Sequence, residues 1–459
     1  MTETFSQQIT VPRQDPARGA SRAAAVEQLS TARGAALYIG ALLGPGLLLL
    51  PGLAAAEAGP ASVLAWTGLL LLSGLFALVF TALGRSIPSA SGVTGYVTAG
   101  FGDRAGRAAG WTFLAGVVTG APVVCLIGAG YITALTGGGQ PARAGAAALL
   151  LLVVLTLAAC GLRTGSTAQL VLVGLLVTVV AVAVAGSAHA ARAANWTPFA
   201  PHGWLAVGHA ATTLMLSFVG WEAVAPLTTR FADPSRQLAR VIAIALAVTS
   251  VLYLGLAVAT IGVLGRGAGT LVPLAELLRS AVGPAGTAGA AVAAAVLTLG
   301  ATNAYINGAV AMAGALWRPR RVGDAAGARS GATAATAGPR HLTPRLLAAI
   351  AACGLLLITL YGLGLASPAA LVAVPTALFL AVYLGCMMAA VRVLRGRARW
   401  AALPAGIAVL VMLGYCGWAL AIPAAVAAAA FWRRPSDHLV RRLRGRQREN
   451  HRAGQPEEI

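Results

Sequence analysis

Ser217-Phe218-Val219-Gly220-Trp221-Glu222 lies inside an apolar segment that runs from about His209 to Thr229. A stretch of about 20 apolar residues crosses a bilayer as a helix. Glu222 stands in its interior, and a carboxylate near the bilayer centre costs about 2.5–3.5 kcal/mol on insertion scales. Two residues earlier, Gly220 weakens the helix at the same depth. A weak point beside an ionisable group predicts a helix broken at mid-membrane, its loosened backbone satisfied by protein or by a water-filled cavity. Upstream, Gly44-Pro45-Gly46 interrupts another apolar segment. Two interrupted segments at corresponding places in two halves of a chain point to a binding site between them.

Composition sets the class. Of 459 residues, 58% are hydrophobic and 10% charged, with a mean hydropathy of +0.79, whereas a soluble domain carries about 25% charged residues. This predicts a polytopic, all-α membrane protein. The formal net charge of +20 raises nucleic acid as a partner. The distribution argues against it, because the arginines lie between apolar spans and at the two ends. Lysine is absent, so all 33 basic residues are arginine. The cysteines Cys125, Cys160, Cys353, Cys386 and Cys416 lie in or beside apolar segments with no CxxC spacing, which predicts neither disulfides nor a metal site. The polar first 33 residues argue against a cleavable signal peptide.

Apolar spans at 35–57, 61–84, 108–135, 144–161, 168–187, 208–229, 239–264, 285–317, 344–363, 367–391, 400–415 and 417–432 predict about twelve transmembrane helices. With the N-terminus inside, the cytoplasmic loops collect Arg85, Arg104, Arg107, Arg163, Arg230, Arg236, Arg318 to Arg345, and Arg392 to Arg399. Only Arg143, Arg192, Arg266 and Arg279 face outward, so the positive-inside rule favours both termini in the cytoplasm. The organisation reads as a disordered tail (1–33), a first five-helix repeat (34–188), an external connector (189–207), a second five-helix repeat (208–391), helices 11–12 (392–432) and a basic, headgroup-facing tail (433–459). Five is odd, so the second repeat enters from the opposite side, an inverted repeat with helices 1 and 6 broken. Residues 318–343 read as a flexible linker. Residues 265–284 read as a connector, with an outer amphipathic lid as the alternative.

Three stretches together resemble the amino acid–polyamine–organocation superfamily of permeases. They are Gly40 to Leu47 followed by Pro51; Gly84 to Val93 with Tyr96, Phe101-Gly102 and Gly110-Trp111; and Ser217 to Ala223 with Phe231 to Arg236. The second resembles the cytoplasmic loop between helices two and three. The run from Phe218 to Arg236 is most similar to bacterial exporters of L-methionine and branched-chain amino acids, as are Phe113-Leu114, Asn303 and Tyr305-Ile306. The resemblance implies a LeuT-like 5+5 inverted repeat plus two extra C-terminal helices in a bacterial cytoplasmic membrane. It also implies secondary transport of methionine, leucine, isoleucine or valine by alternating access, as a monomer or homodimer.

A zwitterion needs a carboxylate site and an ammonium site, and broken helices offer both from main chain. N–H groups around Gly44, Gly46 and Leu47 suit the carboxylate. Carbonyls at Leu42 and from Leu216 through Ser217 and Phe218 to Val219 suit the ammonium. Pro45 brings no N–H, which removes one donor. Phe218, Gly220 and Trp221 complete an apolar-sided pocket. Glu222 is the candidate for proton coupling, because desolvation makes a carboxyl hold its proton more tightly; the competing reading has it only accept hydrogen bonds from loosened backbone. No cofactor is expected, and a proton gradient ranks above sodium. Thr302 and Asn303 read as helix-to-helix hydrogen-bonding groups or as cavity lining. Glu57 reads as a solvated end residue, and His189, His202 and His209 as interfacial rather than zinc ligands. Importer or exchanger is the alternative within the class; a membrane-embedded enzyme and a passive channel are the alternatives outside it.

Overall fold

The computed structural model describes residues 30–44, 46–87, 92–162, 166–221, 234–317 and 342–432. All regular structure among them is helical. The first half holds α1 (Thr31–Leu42), α2 (Gly46–Ala58), α3 (Ser62–Ser86), α4 (Gly92–Phe101), α5 (Asp103–Thr136), α6 (Gln140–Ala159) and α7 (Ser166–Ser187). The second holds α8 (Leu205–Leu214), α9 (Pro234–Leu264), α10 (Pro273–Val282), α11 (Pro284–Trp317), α12 (Leu342–Gly362) and α13 (Pro368–Val393). Two helices close the chain, α14 (Arg397–Tyr415) and α15 (Ala421–Trp432). The expected tails, at 1–29 and 433–459, lie outside the described residues, as do 318–341 of the expected linker.

Nine helical stretches among the described residues are long and apolar enough to cross a membrane, so the chain is a multi-pass membrane protein. One of the nine, Gly46–Ser86, contains both α2 and α3, joined by a tight turn at Gly59–Ala61. Leu205–Phe218 and Gly417–Ala430 are apolar but shorter. The expected number of spans was about twelve, and the difference falls on interrupted and short helices. The 10 residues of α8 reach about 15 Å at 1.5 Å per residue, half the thickness of a hydrocarbon core. Leu71 and Leu78 on α3, Leu149 and Leu152 on α6, and Leu355 and Leu356 on α12 stand exposed. In a bilayer such side chains meet lipid at no cost.

The 34-residue α5 is the post around which the others stand, packing on α11, α13, α6 and α12. Close approach depends on small residues. A β-carbon at Gly128 would collide with Thr298 of α11, and one at Gly116 would press on the Phe379 ring of α13. One expectation is corrected here. The stretch around Tyr96, read as part of a loop, is the helix α4 from Gly92 onward. Val93, Tyr96 and Val97 are buried on one face of it. Gly102, at φ +84°, separates α4 from α5. The chain also becomes helical three residues before the expected tail ends, because the Ser30 hydroxyl caps α1 by accepting the Arg33 N–H at 3.3 Å.

The connector at 189–207 is fastened down. Asn195 Nδ2 donates to the Gly262 carbonyl at 2.7 Å, and Ala61 N–H donates to the Phe199 carbonyl at 2.9 Å. In the 265–284 segment, α10 buries Leu274, Leu277 and Leu278 and carries a Glu276–Arg279 ion pair at 2.8 Å. Its Leu274 N–H donates to the Tyr131 hydroxyl of α5, which donates to the Leu48 carbonyl of α2. The segment is thereby tied to α2 through one tyrosine.

Candidate functional site

The first helix stops at Leu42 and restarts at Gly46. Leu43 leaves the helical region at ψ 64°, and Gly44 N–H turns back to the Leu42 carbonyl at 2.9 Å. Pro45 lies outside the described residues. A β-carbon on Gly44 would meet none of the described residues within 4 Å. Gly46 opens α2, and in its first turn Leu47 N–H donates to the Gly44 carbonyl at 3.1 Å.

The second expected break falls where regular helix stops, and the residues after Trp221 up to 233 lie outside the described ones. The helix α8 ends at Leu214, a single tighter turn covers Met215–Phe218, and Val219 is extended at φ −74°, ψ 130°. Gly220 adopts φ +144°, a conformation open to glycine but not to side-chain-bearing residues. Glu222 lies outside the described residues.

The fold brings the two interruptions into contact. A β-carbon on Gly46 would stand 2.8 Å from Ser217 Oγ. Ser217 is 2% exposed, its hydroxyl beside the Tyr253 side chain, and the buried Tyr38 hydroxyl of α1 finds no hydrogen-bond partner among the described residues. Tyr253 of α9 reaches both breaks at once. Its hydroxyl lies 2.7 Å from the Leu42 carbonyl oxygen and 2.8 Å from that of Ser217. Tyr383 of α13 serves the second break from the other side, its hydroxyl oxygen accepting Gly220 N–H at 3.1 Å and Trp221 N–H at 3.3 Å.

Aromatic rings seal the arrangement. Phe218 packs against Trp66 and Tyr253, with ring centroids 5.9 and 5.2 Å apart, and Trp66 stands 4.9 Å from Tyr253. Trp221 faces Tyr38, and its Nε1–H donates to Ser73 Oγ at 2.7 Å. Phe218, Val219 and Trp221 are all buried, as are Leu42 and Leu47, while Leu216 is half-buried. Among the described residues the two breaks meet through main chain and uncharged side chains.

The remaining candidates fall elsewhere. Asn303 ties α11 to the end of the α6 turn, donating from Nδ2 to the Leu162 carbonyl at 3.0 Å and receiving Asn307 Nδ2. Thr302 is buried, its hydroxyl beside the Cys125 thiol of α5. Glu57 differs from the expectation of a solvated end. It is half-buried, and Thr213 Oγ1 of α8 lies 2.8 and 3.1 Å from its two carboxylate oxygens, so it joins α2 to α8. The three histidines stand apart. His189 is bonded to the Gly186 carbonyl, His202 to the Glu57 carbonyl, and His209 lies edge-on to Tyr415.

Tyr253, Tyr383 and Ser73 escaped the sequence reading. A faint signal existed for the tyrosines, since each carries a hydroxyl into an apolar span and a buried tyrosine hydroxyl finds a partner.

The pattern described as "Amino acid permease" matches residues 29–433. The chain is 32% identical over 404 residues to an uncharacterised amino acid permease of Bacillus subtilis, YecA, covering 87% of this chain and 93% of that one. It is 29% identical over 399 residues to the L-methionine/branched-chain amino acid exporter YjeH of Escherichia coli, covering 85% and 92%. It is 25% identical over 265 residues to the branched-chain amino acid permease BcaP of Bacillus subtilis, covering 53% and 57%. These relatives are permeases rather than enzymes. A match that runs from just before α1 to just beyond α15 takes in both helix breaks and everything between them, and this chain belongs to the amino acid permease family.

Proposed function

We propose that the chain is a secondary active transporter that exports neutral apolar amino acids (methionine, leucine, isoleucine, valine) by alternating access at the two helix breaks. The observation that carries this reading is the meeting of the breaks at Gly46 and Ser217, bridged by the Tyr253 hydroxyl. In this reading the substrate carboxylate sits at the N-terminus of α2, at Gly46 and Leu47 beside Gly44 and Pro45, and replaces the Gly44 carbonyl that accepts Leu47 N–H at 3.1 Å. The ammonium takes carbonyls from Leu42 and from Leu216 to Val219. Gly220 supplies the bend, and Phe218 and Trp221 supply apolar surface. Thr302 and Asn303 remain outside the substrate's first contacts. The exporter YjeH, matched over 92% of its length, supports both the substrate class and the outward direction.

The architecture proposed is twelve membrane helices, with 34–188 and 208–391 as two inverted five-helix repeats and two further helices after them. Both termini are cytoplasmic, in a bacterial inner membrane, and the protein works as a monomer or homodimer. Coupling is by proton antiport, with Glu222 as the exchanging acid; this rests on its intramembrane carboxyl in the sequence. The test is flux of radiolabelled methionine, leucine and arginine in proteoliposomes, with and without pH or sodium gradients. Saturable methionine and leucine exchange, driven by pH and not sodium, is the expected result. Arginine flux equal to methionine flux overturns the substrate class, and sodium dependence overturns the coupling.

A further inference from the structure

We infer that Arg143 of α6 and Tyr361 of α12 hold one small inorganic anion, of chloride's size, in a cleft that reaches α2 beside the first break. The inference does not depend on the transport reading. Arg143 Nη1 donates to the Tyr361 hydroxyl at 3.2 Å, and Nε donates to Thr133 Oγ1 of α5 at 3.5 Å. A guanidinium has five N–H donors and no acceptor, so the others are left over. Among the described residues no carboxylate lies within ion-pair reach of Arg143. The Tyr361 hydroxyl accepts from Arg143, and its own proton finds no acceptor among the described residues. Thr133 differs, since its proton goes to the Ala129 or the Gly130 carbonyl, each at 3.1 Å. A cation and a hydroxyl, from two helices, thus converge with donors and no acceptor to receive them.

The cleft sets the size of the guest. Its volume is about 20 Å³, room for about one water and too little for an amino acid. Its other walls are hydrocarbon, from Leu49 of α2, Val123, Leu126 and Ile127 of α5, Leu271, and Leu371 of α13. A water here accepts from Arg143 and Tyr361, but its own two protons face those walls. A halide accepts from both and donates nothing. It also neutralises a half-buried guanidinium that has no counter-charge among the described residues. The donors are held in place. Gln140 Nε2 donates to the Tyr361 carbonyl at 2.6 Å, and the guanidinium lies against Gly130, where a β-carbon would stand 3.5 Å from Cζ. Leu49 follows Gly46 by three residues, about one helical turn, so the anion sits close to the first break without belonging to it.

The test is thermal unfolding of the purified full chain in detergent, with sodium chloride exchanged for sodium gluconate at constant ionic strength and no amino acid present. Chloride is expected to raise the unfolding temperature saturably, by about 3 °C at about ten times its half-saturating concentration, and bromide to act alike. Arg143→Gln is expected to lose the response. Tyr361→Phe is expected to raise the half-saturating concentration about tenfold, the scale of one hydrogen bond to a charged group, and it carries the comparison if the glutamine variant does not fold. A rise that does not saturate, or one unchanged in both variants, is a general salt effect and overturns the inference. A second arm adds methionine in gluconate. Wild type that ignores chloride but responds to methionine through Arg143 assigns the guanidinium to a substrate carboxylate, and that overturns the inference as well.

Discussion

Gly46→Ala probes the contact on which the site depends. The new β-carbon would stand 2.8 Å from Ser217 Oγ, 3.0 Å from Leu50 Cδ1 and 3.6 Å from Ser217 Cα. The last is ordinary contact, and the Leu50 methyl can move aside. The serine oxygen is the obstacle. It must rotate into packed surroundings, or the breaks must part by a few tenths of an ångström. Overpacking of this kind costs about 1–3 kcal/mol, and the gain from alanine over glycine in a helix recovers at most about 1 kcal/mol. The net is a loss of about 1–2 kcal/mol in stability, with about a tenfold drop in exchange rate if the closed contact lies on the transport cycle. Ser217→Ala removes the obstacle and gives up only its contact with the Tyr253 side chain, so alone it costs at most about 1 kcal/mol. The double variant therefore recovers stability, with an interaction energy of about 1–2 kcal/mol between the two changes. Thermal unfolding of the four purified proteins in detergent measures it. Additivity within about 0.5 kcal/mol refutes the claim that Gly46 and Ser217 touch.

Three other changes test neighbouring parts. Tyr383→Phe strips the acceptor from Gly220 and Trp221 N–H, which is expected to cost about 2 kcal/mol, since a buried unsatisfied donor costs about 1–3 kcal/mol; unchanged thermal unfolding contradicts the assignment. Thr213→Val leaves the shape of α8 intact but removes the donor to Glu57, and about 1 kcal/mol of stability should go with it. Thr213→Ser keeps the hydroxyl and should unfold at the wild-type temperature; a loss equal to that of Thr213→Val assigns the effect to packing instead. Glu222→Gln should abolish pH-driven methionine flux while sparing methionine-for-methionine exchange; pH-driven flux at the wild-type rate removes Glu222 from the coupling.

Legibility in the sequence followed the range of the forces involved. The two breaks could be read because their causes are local. Glycine and proline weaken a helix where they stand, and Gly44, Gly46 and Gly220 mark the places where α1 and α8 give way. Burial of Phe218 and Trp221 was harder to see, since an apolar residue in a membrane helix can face lipid or protein equally well. Glu57 was misread for a related reason. At a helix end the local expectation is solvent, but its partner Thr213 lies 156 positions along the chain. The helix α4 was hidden by the glycines at its two ends, Gly92 and Gly102, which read as loop when only neighbouring residues are weighed. Tyr253 gave no hint of bridging partners 36 and 211 residues away.

A common device satisfies the backbone groups that the breaks set loose. In a bilayer each such group must find a partner inside the protein. Three tyrosines on three uninterrupted helices provide one: Tyr131 of α5 for the Leu48 carbonyl, Tyr253 of α9 for Leu42 and Ser217, and Tyr383 of α13 for the N–H groups of Gly220 and Trp221. A hydroxyl suits this task better than a charged group, because it both donates and accepts and carries no desolvation cost of an ion. The placement has a mechanical consequence. The broken segments α1, α2 and α8 are held to the scaffold by hydroxyl bonds, each worth about 0.5–1.5 kcal/mol net. Moving those segments against the scaffold exchanges a few such bonds, an energy on the scale of the few kcal/mol that separate interconverting states of a protein. Ion pairs at the same positions would lock the breaks, and bare apolar contacts would leave their backbone unsatisfied; tyrosine hydroxyls hold them closed while leaving them free to part.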